Sequence, residues 1–129
     1  MIQEPLTISR ANAADGDEIF ALYHSLIDDP YGTWSEEYPT REDVRNDLTG
    51  NIVYVMRDGT GRIISAIVDE LDIHEFDNLA QWYTDVRQWA QLGRLGVAHG
   101  AQGHGIARRM LAYAMDQAQE RGCDPVRFL

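Results

Sequence analysis

The chain has 129 residues, 44 % of them hydrophobic and 25 % charged, which suits one globular domain spanning 1–129 and leaves little room for a second. Its apolar stretches (residues 52–56 and 63–68) are only a few residues long, which excludes a transmembrane helix, and its one cysteine, Cys123, excludes a disulfide framework or a cysteine-rich zinc module. A net charge of −10 with no lysine at all argues against nucleic acid as the main partner, because phosphate neutralisation needs a basic face.

The charge is unevenly spread. Residues 1–86 carry 18 acidic and 5 arginine side chains, a balance of −13, whereas residues 87–129 carry 3 acidic and 6 arginine side chains, a balance of +3. The pattern points to an anion handled by the last third and a cation attracted elsewhere. Residues 1–4 lack a cationic start and an apolar run, so no secretory leader and no membrane partner are expected, and the expected compartment is cytoplasmic.

Residues 6–9 alternate like a short strand. Asp15, with Glu18 three positions on, reads as a capping-box start for a helix carrying Ile19, Leu22, Tyr23, Leu26 and Ile27 on one stripe, ended by Asp28-Asp29-Pro30. A loop rich in aromatic residues follows (Tyr31, Trp34, Tyr38). Thr40 then caps a second helix through Leu48, with Asp43 at the favourable end of its dipole and Gly50 closing it. Residues 52–56 and 62–68 form a hairpin around Asp58-Gly59-Thr60-Gly61. Residues 69–85 read as an acidic, aromatic excursion, and residues 88–98 as a fourth strand in which Gly93 and Gly96 mark a bulge or a close approach. A helix from 105 to 121 carries Ile106, Met110, Leu111, Ala114 and Ala118 on one face, with Gly122 as its C-terminal cap, and residues 125–129 start a further strand. The order is β-α-α-β-β-β-α-β, an α/β layered fold.

The segment 95–109 carries the chemistry: Leu-Gly-Val-Ala-His-Gly-Ala-Gln-Gly-His-Gly-Ile-Ala-Arg-Arg. A strand feeds a glycine-rich loop that opens directly into a helix. There the glycines let backbone N–H groups converge, and the helix start adds its own unpaired donors, which suits a pyrophosphate. Arg108 and Arg109 oppose the helix dipole in its first turn, a placement that makes sense beside phosphates. A P-loop is excluded because the chain has no lysine. The dinucleotide fingerprint is excluded because the loop reads Gly103-His-Gly-Ile-Ala-Arg, and because the acidic residue it needs about 20 positions on belongs at the end of a following strand that the sequence does not complete.

The loop resembles that of the GCN5-related N-acetyltransferase (GNAT) superfamily. Its acyl-CoA loop reads Gln/Arg-x-x-Gly-x-Gly/Ala, and Gln102-Gly-His-Gly105-Ile-Ala107 matches every specified position. Arg94-Leu-Gly-Val97 is similar to the family's fourth strand, Arg108-Arg-Met-Leu111 to its phosphate-side helix, and the order of elements follows the same fold. The resemblance implies a mixed sheet flanked by helices, with acetyl-CoA as co-substrate and no metal. Backbone groups of Leu95, Gly96 and Val97 would pair with the pantetheine arm. Those of Gln102, Gly103, His104, Gly105, Ile106 and Ala107 would cradle the pyrophosphate, and Arg108 would reach an outer phosphate. The implied reaction is direct attack on the thioester by a primary amine of a small molecule or peptide, polarised by a backbone N–H of the fourth strand. Two departures stand out. His99 replaces a frequent proline, and the sequence ends at Leu129, before the family's last helix and strands, so no residue matches the family's thiolate-protonating tyrosine. The alternative is therefore a truncated, non-catalytic domain that binds CoA or a partner. A third reading is a nucleotide-binding regulatory domain. The open last strand favours a homodimer.

Other residues stand as candidates for lesser roles. His99 and His104 flank glycines but lack a third metal ligand, and His74, Glu75 and Asp77 form a metal-like group read as a wet loop. Glu70 and Asp72, at the end of the third strand, are placed to serve as base or amine anchor. Trp34, Glu36, Glu37 and Tyr38 are placed to line an acceptor entrance. Cys123 reads as a small buried residue, and Met110 and Met115 as helix-face packing.

Overall fold

The computed structural model describes residues 2–28, 34–70, 90–121 and 126–128. Strand β1 (Thr7–Arg10) feeds a single 3-10 turn over Ala13–Asp15 and then helix α1 (Gly16–Ser25). The start of this helix refines the expectation: Asp15 stands at its N-cap position but makes no side-chain capping bond, and the capping box belongs to the 3-10 turn, whose cap is Asn12. The Asn12 side chain accepts from the Ala14 N–H at 2.9 Å, and Asp15 accepts in return from the Asn12 N–H at 3.0 Å. Asp15 thus fills the third position of the box, and a 3-10 turn stands ahead of the α-helix. Glu18, released from capping, accepts the Ile63 N–H at 2.7 Å and fastens α1 to the sheet. The helix also ends earlier than expected, at Ser25, with Leu26 as its C-cap. Asp29 and Pro30 lie outside the described residues.

Helix α2 (Arg41–Gly50) follows its local signals closely. The Thr40 hydroxyl accepts from the Asp43 N–H at 3.1 Å, and the Asp43 carboxylate accepts from the Thr40 N–H at 2.8 Å. Replacing Thr40 with alanine removes one arm of this box and is expected to cost about 1 kcal/mol. Thermal unfolding should then occur roughly 4 °C lower, and an unchanged midpoint would show the cap to be idle.

Strands β2 (Ile52–Arg57), β3 (Ile63–Glu70), β4 (Ala90–Val97) and β5 (Val126–Phe128) complete a five-stranded sheet in the order β1-β2-β3-β4-β5. The first four pair antiparallel, while β5 lies parallel to β4 and meets only Ala90, Gln91 and Leu92. Helices α1 and α2 cover one face, and helix α3 (Ile106–Glu120) covers the other. Both faces of β2 and β3 are therefore buried, which is why residues 63–68 read as a continuous run instead of an alternation. Ile106, Met110, Ala114 and Ala118 form the buried stripe of α3 at a spacing of four. Met115 falls off that stripe and is exposed, contrary to the expectation that it packs. The element order matches the expected β-α-α-β-β-β-α-β arrangement.

One irregularity positions the site. Ala66 pairs with Gly96 and Val68 with Gly93, so two steps along β3 face three along β4. The extra residue is a β-bulge, as the glycines suggested. The left-handed residue within it, however, is neither glycine but Arg94, at φ 46°.

Candidate functional site

Beyond Leu92 no described strand pairs with the outer edge of β4. The Ala98 N–H points inward to the Ile64 carbonyl at 2.8 Å. Backbone alternation then turns the N–H and C=O groups of Leu95 and Val97 outward to that free edge. Gly96 is different from the expectation: its carbonyl faces β3, where it accepts the Ser65 hydroxyl at 2.7 Å. What Gly96 provides is space. A Cβ there would lie 3.0 Å from Leu26 Cδ1 and 3.2 Å from Trp34 Cη2, so its bareness lets α1 and Trp34 close over the strand.

The loop after β4 begins with a 3-10 turn over His99–Ala101. His99 Nε2 lies 2.9 Å from the Ser25 carbonyl, tying the loop to the end of α1. His104 Nδ1 folds back onto the Ala101 and Gln102 carbonyls at 3.2 and 3.0 Å. Both imidazoles are thus engaged by backbone. Gln102 is also occupied: its N–H donates to the His99 carbonyl at 3.3 Å, and its side-chain amide donates to the Val97 carbonyl at 3.0 Å. The sequence analysis expected its N–H to face a ligand; here that N–H is already bonded, and Gln102 shapes the loop instead.

The remaining donors are open. Gly103 and Gly105 adopt φ 82° and 74°, which glycine reaches without strain, and a Cβ on either would meet nothing within 4 Å. Gly105 is the N-cap of α3 and supplies no side-chain hydrogen bond. The contrast within the molecule is telling: the turn before α1 and helix α2 both carry capping boxes made by their own side chains, whereas the longest described helix is left uncapped. The N–H groups of Gly103, His104 and Gly105 and of the first turn (Ile106, Ala107, Arg108) have no partner among the described residues. Arg108 and Arg109 stand exposed beside them with no ion pair to a described carboxylate, and no acidic residue occupies that turn. Open N–H donors, a positive dipole end and two exposed guanidinium groups with no described counter-ion are features that suit a multiply charged anion.

On the opposite face, above the bulge, lies a cluster that the sequence reading missed. Arg94 donates through Nε to Asp47 Oδ2 at 2.7 Å, through Nη2 to Asp47 Oδ1 and to Glu70 Oε1 (3.0 Å), and through Nη1 to the Tyr38 hydroxyl at 2.7 Å. Burial disfavours the charged guanidinium, yet its hydrogen bonds to Asp47 and Tyr38 outweigh that and hold its pKa above the ordinary arginine value. The only local hint was an arginine set between two glycines in an otherwise apolar strand; its partners are distant in sequence. Glu70, expected near the acceptor as base or anchor, is thus bound to Arg94. Trp34 packs on the core, edge-on to Tyr23 at 4.8 Å, and Tyr38 joins the cluster, while Glu36 and Glu37 are exposed. Tyr31, Asp72, His74, Glu75, Asp77, Gly122 and Cys123 lie outside the described residues. Among the described residues no three His, Cys, Asp or Glu side chains converge as a metal site, and no helix is long and apolar enough to cross a membrane.

Tyr23, fully buried, has a hydroxyl with no hydrogen-bond partner among the described residues. Burial foremost, then the negative charge of Asp47, pushes its pKa well above the ordinary 10.0. A raised native pKa means that the neutral tyrosine's contribution is complete below the unfolded value and is lost as pH climbs toward the native one. Tyr23→Phe removes an unsatisfied group and is expected to stabilise the protein by about 1 kcal/mol. It should also reduce the loss of stability between about pH 9 and about pH 11. Thermal melts across that range test both effects, and a less stable phenylalanine variant would show that the hydroxyl has a partner.

The model of the family described as "Acetyltransferase (GNAT) family" matches residues 19–129. No curated protein is significantly similar to the chain in sequence. Among solved structures, a ribosomal-protein-alanine N-acetyltransferase from Brucella melitensis biovar Abortus 2308 aligns with TM-score 0.70 at 16 % identity, over 97 % of this chain and 80 % of that one. A possible acetyltransferase from Clostridium difficile 630 aligns with TM-score 0.71 at 16 % identity, over 98 % and 80 %. N-acetylglutamate synthase from Neisseria gonorrhoeae, complexed with coenzyme A and N-acetyl-glutamate, aligns with TM-score 0.67 at 18 % identity, over 96 % of this chain and 25 % of that one. At these identities the likeness is one of fold.

Proposed function

We propose, since the chain belongs to the acetyltransferase (GNAT) family, that it transfers an acetyl group from acetyl-CoA to a primary amine of a small molecule or peptide. The observation that carries this reading is the uncapped start of α3, with the left-handed Gly103 and Gly105 before it and, beside it, the β4 edge that no described strand covers beyond Leu92. The open N–H groups from Gly103 to Arg108 suit the pyrophosphate, and Arg108 suits an outer phosphate. The outward N–H and C=O groups of Leu95 and the N–H of Val97 suit the amides of a pantetheine arm laid along the strand. The Val97 carbonyl already serves Gln102 and contributes less.

Acetyl-CoA supplies the activated thioester. The chain's part is to hold it, to place an outward β4 N–H at the carbonyl oxygen, and to admit an unprotonated amine from the side of α1 and α2. Attack forms the amide bond, breaks the carbon–sulfur bond, and transfers the amine's proton to the departing thiolate or to solvent.

Calorimetric titration with acetyl-CoA, with ATP and NAD as controls, tests the donor assignment. Thiol release in the same sample with a panel of amines tests turnover. Micromolar acetyl-CoA affinity with weak control binding supports the donor site, and thiol release then supports the enzyme. Donor binding with no thiol release from any amine favours the non-catalytic alternative. Preference for ATP or NAD sinks the reading.

A further inference from the structure

We infer that Arg94 is a positioning residue that fixes the β4 bulge and thereby decides which backbone groups meet the acyl donor; this rests on the donor reading above. Three observations converge on it. Arg94 is the extra residue's neighbourhood made visible, the one non-glycine among the described residues with positive φ, at 46°. Such a conformation persists in an L-residue only where its surroundings over-determine it. Here they do: the guanidinium is gripped by α2 through Asp47, by β3 through Glu70 at 3.0 Å, and by the segment before α2 through Tyr38 at 2.7 Å. Asp47 is itself steadied by the Asn51 side-chain amide at 3.1 Å. The planar fork that serves Asp47 through two nitrogens is particular to arginine.

The consequence follows from strand geometry. Because a strand alternates with a period of two, removing the bulge would reverse every residue on one side of it. Leu95 and Val97 would then turn their N–H and C=O groups inward to β3, and Gly96 would offer its own to the free edge. The side chain of Leu95 would be driven toward Leu26 and Trp34, where now only Gly96 fits. Arg94 therefore joins the two walls of the proposed site. Its backbone sets the edge along which the donor would lie, and its side chain is held by the elements that face the acceptor.

The test separates positioning from mere stability by using two ligands. Acetyl-CoA would engage both the loop and the strand edge, whereas 3′-phospho-ADP, its nucleotide half, would engage the loop alone. Arg94→Gly keeps a residue suited to positive φ and removes the grip, and Arg94→Lys keeps the charge without the fork. Both are expected to weaken acetyl-CoA binding about tenfold or more while leaving 3′-phospho-ADP within about twofold of the parent. Tyr38→Phe removes a single contact at an exposed position and is expected to weaken acetyl-CoA binding by roughly two- to threefold at an unchanged melting temperature. Folded Arg94 variants that bind acetyl-CoA like the parent, or that lose both ligands equally, overturn the inference. Should the Arg94 variants not fold, an unchanged ratio of the two affinities in Tyr38→Phe overturns it. A parent protein that binds neither ligand overturns the donor reading and this inference together.

Discussion

Gly105→Val is expected to weaken acetyl-CoA binding by about 100-fold or more, equivalent to roughly 2.7 kcal/mol. The reasoning runs from one dihedral angle. Gly105 sits at φ 74° as the N-cap of α3. A β-branched residue in that region strains against its own backbone by about 1–2 kcal/mol. The chain has two ways to respond. It can hold the strained conformation, in which case the valine methyls occupy the open space over the loop's N–H groups, where no protein atom lies within 4 Å of the new Cβ. Or it can rotate Gly105 out of the left-handed region, which turns the N–H groups of Ile106 and Ala107 away from their common focus. Either outcome spoils the anion site while leaving the core contacts of Ile106 and Met110 in place, so the fold should survive with a modest fall in melting temperature. Gly100→Ala is the control. Gly100 has no positive φ and equally open surroundings, so its variant should bind within about twofold of the parent. If Gly105→Val binds acetyl-CoA as well as Gly100→Ala does, the donor does not use this loop.

What the sequence made legible was local. The Thr40 cap, the hairpin at Asp58–Gly61 and the spacing of Ile106, Met110, Ala114 and Ala118 each depend on residues within a few positions of one another, and each was found as expected. The passage of a strand through a glycine loop into a helix over residues 95–109 was likewise legible. One reading went astray, and one cluster went unread, where the deciding interaction was tertiary or ambiguous. Asp15 fits both the first and the third position of a capping box, and only the Asn12 contact settles which. Glu18 looked like its partner because its true role, accepting the Ile63 N–H, lies 45 residues away. The Arg94 cluster gathers groups from before α2, within α2 and at the end of β3, with separations of 24 to 56 residues and no periodic trace. Gly96 shows the same limit in another form: its place in the motif was recognised, but its purpose, admitting Leu26 and Trp34, depends on packing that the motif does not contain.

Asp47→Ala should be the most destabilising single change within the cluster, at about 3 kcal/mol, because it strips the main counter-ion from a largely buried guanidinium. Asp47 is buried and accepts from Arg94 through two nitrogens and from Asn51. Its removal leaves Arg94 with Glu70 and Tyr38, which offer one acceptor each and no bidentate geometry. For a chain of this length the loss corresponds to a melting temperature roughly 10 °C lower. Asp47→Asn keeps a carbonyl acceptor but not the charge and should fall between the parent and the alanine variant. Combining Asp47→Ala with Arg94→Gly distinguishes an interacting pair from two independent losses. With the guanidinium already gone, the absence of the carboxylate matters less, so the double variant should be less destabilised than the two single effects summed, by about 1–3 kcal/mol. Strict additivity would mean that Arg94 is held by its backbone alone. The bulge would then owe nothing to the side chain that reaches across to α2, and its geometry would have to come from the packing of Gly96 beneath Leu26 and Trp34.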